Sequence, residues 1–104
     1  MRFNLSPEDF AEKAGVAAQM LKSLAHEARL MVLCQLVEGE RSAGTLQRAS
    51  GLSQSALSQH LAKLREEGLV TTRREAQTIY YRLADPRAAK ILETLAGIFC
   101  PPGE

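Results

Sequence analysis

Ser42-Ala43-Gly44-Thr45-Leu46-Gln47-Arg48-Ala49-Ser50-Gly51-Leu52-Ser53-Gln54-Ser55-Ala56-Leu57-Ser58-Gln59-His60-Leu61-Ala62-Lys63-Leu64-Arg65-Glu66-Glu67-Gly68 carries two helix starts and two helix stops within 27 residues. Ser42 and Ser53 are side chains that cap the N–H groups at a helix start, and Gly51 and Gly68 are residues that end helices in a left-handed conformation. Between them the spacing predicts a short helix over about 43–50 and a longer one from a Ser53 cap to about Glu67. Leu57, Leu61 and Leu64 fall on one face of the longer helix, and Leu52 in the turn is a candidate core plug. A short helix, a glycine turn and a longer helix form a helix-turn-helix.

Working outward, Ser6-Pro7-Glu8-Asp9 is a helix start with proline in the first turn and acids near the positive end of the helix dipole. Phe10, Ala14, Ala17, Leu21 and Leu24 then repeat at steps of four and three, a single apolar stripe over about 7–24. A second helix is expected from about His26 to Glu38, with Leu30, Leu33, Cys34 and Val37 inward and Gly39 as its cap. Leu69–Arg74 and Thr78–Leu83 are rich in β-branched and aromatic residues around the polar junction Glu75-Ala76-Gln77, the pattern of a hairpin. Ile79, Tyr81 and Leu83 share one face of it, Tyr80 and Arg82 the other. Asp85-Pro86 starts a last helix with Ala88, Ile91, Leu92, Leu95 and Phe99 inward, and Pro101-Pro102 cannot continue it. The expected fold is mainly α with a β-hairpin wing: a homodimeric winged helix-turn-helix. It is a single domain over 1–104, with the helix-turn-helix at about 43–67, the wing at about 69–83 and dimerisation helices at about 7–24 and 86–100.

The whole chain has 104 residues, 45% of them hydrophobic, with 5% aromatics and no Trp. That is one small, mostly aliphatic core, too little for a two-domain enzyme or a doubly wound cofactor fold. No apolar run reaches the roughly 18 residues of a membrane span. The N-terminal stretch turns acidic at once, which reads as a cytoplasmic chain without a signal peptide. Net charge is only +1 but unevenly placed: residues 1–40 carry −2, residues 41–82 carry +4 and residues 83–104 carry −1. A positive middle third in a nearly neutral protein favours one polyanion-binding face.

Double-stranded DNA is the expected polyanion. The outward side of the longer helix offers Gln54, Ser55, Ser58, Gln59 and His60, short donors and acceptors suited to base edges in the major groove. Lys63, Arg73, Arg74 and Arg82 can reach phosphates, and Thr45 and Arg48 stand on the helix that crosses the backbone. No Cys-x-x-Cys, glycine-rich phosphate loop or paired carboxylates point to catalysis, and no cofactor is expected.

Leu24-Ala25-His26-Glu27-Ala28-Arg29-Leu30, Ser58-Gln59-His60-Leu61, Leu64-Arg65-Glu66-Glu67-Gly68-Leu69-Val70 and Tyr80-Tyr81-Arg82-Leu83 together resemble the ArsR family of winged-helix repressors over nearly the whole chain. The resemblance implies homodimers paired through the first and last helices, which leave pseudo-palindromic operator DNA when an inducer binds. Two positions depart from the family's usual pattern: Glu27 stands where proline is common, and Ala76-Gln77 occupy a wing turn that often carries Gly and Arg. The family's metal-binding patterns are missing: Leu46-Gln47-Arg48-Ala49-Ser50 holds no thiolate, and the last helix has no His and one acid, Glu93.

The chain's two cysteines, Cys34 and Cys100, remain. On residue type alone they read as inert core thiols or as chemistry. Leu33-Cys34-Gln35-Leu36 and Ile98-Phe99-Cys100 resemble the redox- and persulfide-sensing branch of the family, the BigR, SqrR and HlyU type. That resemblance implies a repressor released by oxidation or persulfidation of the Cys34–Cys100 pair, with reactive sulfur or another oxidant as inducer. The alternatives are a metal- or metalloid-responsive repressor using the same thiols, and a winged-helix protein-interaction module.

Overall fold

A computed structural model describes residues 4–100 and shows the order α1 (Pro7–Leu24), α2 (Glu27–Gln35), β1 (Arg41–Ser42), α3 (Ala43–Ser50), α4 (Gln54–Glu66), β2 (Val70–Glu75), β3 (Thr78–Leu83) and α5 (Pro86–Phe99). Four helix starts are capped as their sequence requires. The Oγ atoms of Ser6, Ser42 and Ser53 accept from the N–H groups of Asp9, Thr45 and Ala56, and the Asp85 carboxylate accepts from the Arg87 N–H. Gly51 (φ 71°) closes α3 and Gly68 (φ 78°) follows α4, both in the left-handed region where a side chain is strained.

The core is aliphatic throughout. Leu24, Val32, Leu33, Leu36, Leu46, Leu57, Leu61, Leu64, Leu69, Val70, Ala88 and Leu92 are all buried in one cluster. Leu57, Leu61 and Leu64 seat α4, and the partly buried Leu52 packs against the same cluster from the turn. Arg29 joins three helices: its Nη1 donates to the Ser23 carbonyl and lies 3.6 Å from the Glu67 carboxylate beyond the end of α4.

Four details differ from the sequence expectation. Helix α2 stops at Gln35, because the N–H groups of Leu36, Val37 and Gly39 bond to the carbonyls three residues back and wind the chain into a tight turn. Val32 and Leu36 join Leu33 in the core, while Leu30, Cys34 and Val37 are only partly buried. The hairpin gains a third strand, in the order β1-β3-β2, with Arg41 opposite Tyr81 and Ser42 opposite Tyr80.

The fourth difference concerns the apolar stripes of the outer helices. On α5, Ala88 and Leu92 are buried as expected, but Phe99 is 75% exposed rather than inward. Two turns beyond Leu92, it has passed the edge of the core. On α1, Leu24 is buried whereas Phe10 and Leu21 are 43% and 53% exposed. Pro101 and Pro102, expected to bar continuation of α5, lie outside the described residues; Cys100 is the residue that caps the helix.

Candidate nucleic-acid interface and thiol cavity

Three core leucines fix the rotation of α4, so its opposite side is set by the helical period. Gln54, Ser55, Ser58, Gln59 and Lys63 are exposed along that side. His60 is not with them. It lies half-buried on the flank, its ring 4.9 Å from that of His26 and tilted by 58°. Burial, then the neighbouring His26 and Arg29, push its pKa below the usual imidazole value, so it favours the neutral form. Its place is the seam between the start of α2 and the middle of α4.

On α3, Arg48 is exposed, and its Nη2 donates to the Thr45 hydroxyl at 3.2 Å. Thr45 is half-buried, and its Oγ1 also accepts from the Ser42 hydroxyl. Thr45 is thus bound into the helix cap, and Arg48 is the outward cation of α3.

The wing splits its three arginines. Antiparallel register pairs Thr71 with Arg82 and Arg73 with Tyr80 on one face, and Thr72 with Tyr81 and Arg74 with Ile79 on the other. Arg73 is already engaged. Its Nε donates to both Glu40 carboxylate oxygens at 3.0 and 2.9 Å, Nη2 donates to Glu40 at 2.8 Å, and Nη1 donates to Glu75 at 2.7 Å. Its guanidinium carbon lies 4.5 Å from the centre of the Tyr80 ring. The Arg73 hydrogen bonds hold the Glu40 carboxyl below its usual range, and Glu40 with Glu75 raises Arg73 further above the guanidinium value. Sequence reading missed Glu40; the only available signal was an acid two residues ahead of a helix cap, too common to single out.

The two cysteines line one cavity between α2 and α5. Leu30 and Cys34, one turn apart on α2, face Leu95, Ala96, Phe99 and Cys100 across an almost wholly apolar cavity of about 240 Å³. A second hollow of about 290 Å³ adjoins it, lined by Met31, Gln35 and Glu27 with the same two cysteines. Both thiols are free, Cys34 half-buried and Cys100 exposed. Burial, and secondarily the nearby Cys100, raise the Cys34 pKa, so at neutral pH it is held as the thiol. Among the described residues no group of three or more His, Cys, Asp or Glu side chains is placed to hold a metal ion.

Residues 26–72, which span α2 to the start of the wing, match the model of the bacterial regulatory proteins of the arsR family. The biofilm growth-associated repressor of Agrobacterium fabrum is 50% identical over 93 residues, 89% of this chain and 80% of that protein. The chain belongs to the arsR family. Within it, the structure of reduced HlyU from Vibrio cholerae is similar at a TM-score of 0.85 and 44% identity, covering 89% of this chain and 98% of that one. A homodimeric winged helix-turn-helix DNA-binding domain from Mycobacterium bovis superposes at a TM-score of 0.71 with 31% identity, covering 93% of this chain and 89% of that one. These arsR-family relatives are regulators of transcription, not enzymes, and the fold here is the winged helix-turn-helix.

Proposed function

We propose that this arsR-family chain is a homodimeric transcriptional repressor that leaves its operator when Cys34 and Cys100 are linked by an oxidant or a polysulfide. The observation that carries the reading is the shared cavity: the chain's two thiols line one apolar hollow between α2 and α5. With an organic polysulfide, one cysteine thiolate attacks a sulfur of the chain and displaces a thiolate. The second cysteine attacks the bound sulfur chain and displaces another. Two cysteine thiols and RS–Sn–SR become Cys–Sn–Cys and two RSH; the cysteines are oxidised and the polysulfide is reduced.

Dimerisation is supported by Leu21, Ile98 and Phe99, which are 53%, 63% and 75% exposed on the outer helices of a small domain. The homodimeric neighbour is consistent with that use of the fold. DNA reading is supported by the exposed polar side of α4 and by the exposed cations Arg48 of α3, Lys63 of α4 and Arg74 and Arg82 of the wing.

The test uses a duplex enriched from a random-sequence library by the reduced wild-type protein. Wild type, Cys34→Ser and Cys100→Ser are titrated onto it with and without polysulfide. All three should bind when reduced; only wild type should release, and dithiothreitol should restore its binding. Release by either mutant would refute the two-cysteine bridge. Failure to enrich any sequence would refute the operator reading itself.

A further inference from the structure

The Arg73 contacts do more than satisfy a surface charge. Strand β3 lies between β1 and β2, so Arg73 on β2 must cross the middle strand to reach Glu40, the residue just before β1. It does so over Tyr80, its partner in register, with the guanidinium stacked on the ring. The guanidinium therefore spans the sheet. One end is anchored to Glu75 in its own strand and the other to Glu40 by a forked set of hydrogen bonds. Strand β1 runs directly into α3, the first helix of the helix-turn-helix. A strap from β2 to the head of β1 thus sets the angle of the wing relative to α3 and α4.

We infer that Arg73 is a positioning residue, which together with Glu40 straps the wing to the helix-turn-helix so that wing and α4 meet DNA as one rigid surface. This rests on the DNA-reading function proposed above. It also reassigns Arg73: the sequence suggests a phosphate contact, whereas its Nε, Nη1 and Nη2 all donate to carboxylates. Arg82, opposite Thr71 on the same face, forms no ion pair within 4.0 Å among the described residues; its charge also acts on Glu40, but its guanidinium is left for phosphate.

Electrostatics alone and the strap predict opposite signs for Glu40→Gln. Removing a negative charge near a polyanion should tighten binding; cutting the strap should weaken binding to the enriched duplex, by about three- to fivefold. Lysine keeps the charge of Arg73 but cannot fork onto a carboxylate, so Arg73→Lys should fail like Arg73→Ala under the strap and bind nearly like wild type under a phosphate contact. The exchange Glu40→Arg with Arg73→Glu should recover most of the lost affinity only if the two residues act through each other. The salt dependence of binding should keep the wild-type slope in Glu40→Gln. In the free protein, the Arg73 Nε–H resonance should shift as Glu40 is protonated, and this shift should vanish in Glu40→Gln. Tighter binding by Glu40→Gln, or near-normal binding by Arg73→Lys, would overturn the strap while leaving DNA reading intact. Failure of the reduced wild type to enrich any duplex would instead overturn the function on which it rests.

Discussion

Linking Cys34 to Cys100 closes a loop of about 66 residues, and its effect on unfolding can be worked out in advance. In the loop-entropy model a closure of that length removes about 4 kcal/mol of freedom from the unfolded chain. If the α2–α5 cavity accepts the bridge without distortion, the oxidised protein should be more stable than the reduced one by nearly that amount. Any shortfall is strain stored in the folded state, and strain of a few kcal/mol is what a switch needs to shift a two-state equilibrium decisively. The two quantities trade off: a large gain means a relaxed bridge, a small gain a bridge that deforms α5 or α2. The assay is urea unfolding of reduced and polysulfide-treated protein at matched concentration, since a dimer's midpoint depends on concentration. Cys34→Ser treated in the same way is the control. An identical midpoint and slope for the two states, with the bridge verified by mass, would place the whole 4 kcal/mol in strain. An equal gain in Cys34→Ser would refute the reasoning, because no intrachain loop can then be its source.

Three further outcomes follow from single positions. Leu64→Ala removes a fully buried side chain from the inner face of α4 and should destabilise by about 2–5 kcal/mol in denaturant unfolding, with operator binding lost at temperatures where the wild type still binds. Ala76→Gly should stabilise the wing turn, by up to about 1 kcal/mol in the same assay, because Ala76 holds a φ of 57° where glycine is unstrained. Alkylation of Cys34 should be slow at neutral pH and accelerate only above the ordinary thiol range, and Cys100→Ser should lower that threshold only slightly, because burial outweighs the Cys100 charge. The sign for stability is set by the same shift: the raised thiol pKa contributes stability below the unfolded-state value and loses it as pH climbs through the folded one.

The caps and stops around α3 and α4 are local chemistry, and the structure places them where the sequence does. Ser42, Ser53, Gly51 and Gly68 act within four residues of themselves, so no distant partner is needed to interpret them. What escaped were consequences of distance. β1 is two residues long, and only its pairing with Tyr80 and Tyr81, nearly 40 residues away, makes it a strand. Arg73 read as a free cation until the fold brought Glu40 beside it. His60 shares the helical neighbourhood of Gln59, but one step of 100° turned it from the outward side to the seam with His26. Phe99 kept the apolar period of α5 although the core ended two turns earlier, because periodicity records that a face is to be covered and not which chain covers it.

A thiol bridge at Cys34 and Cys100 would act on DNA from a distance. Among the described residues, the cavity holding Cys34 and Cys100 is lined by α2, α5 and the α5 cap, with no residue of α3, α4 or the wing in its lining. A change there has two physical routes to the reading surface. One runs within the chain, through α2, which packs on α3. Leu33, one residue before Cys34, is fully buried in the same cluster as Leu46 of α3, so a shift of α2 is transmitted by close packing. The other would run between copies in the proposed dimer, through the exposed Ile98 and Phe99, which immediately precede Cys100. Drawing Cys100 toward α2 must reorient those two side chains, since the bridge and the apolar end of α5 share one turn. The core anchors α2 through Val32, Leu33 and Leu36, whereas α5 beyond Leu92 has only half-buried Leu95 and Ala96 to hold it. The less anchored element yields first, so under the proposed switch a bridge is expected to move the end of α5 more than α2, and in a dimer paired through α5 the spacing between the two copies is the quantity it would change.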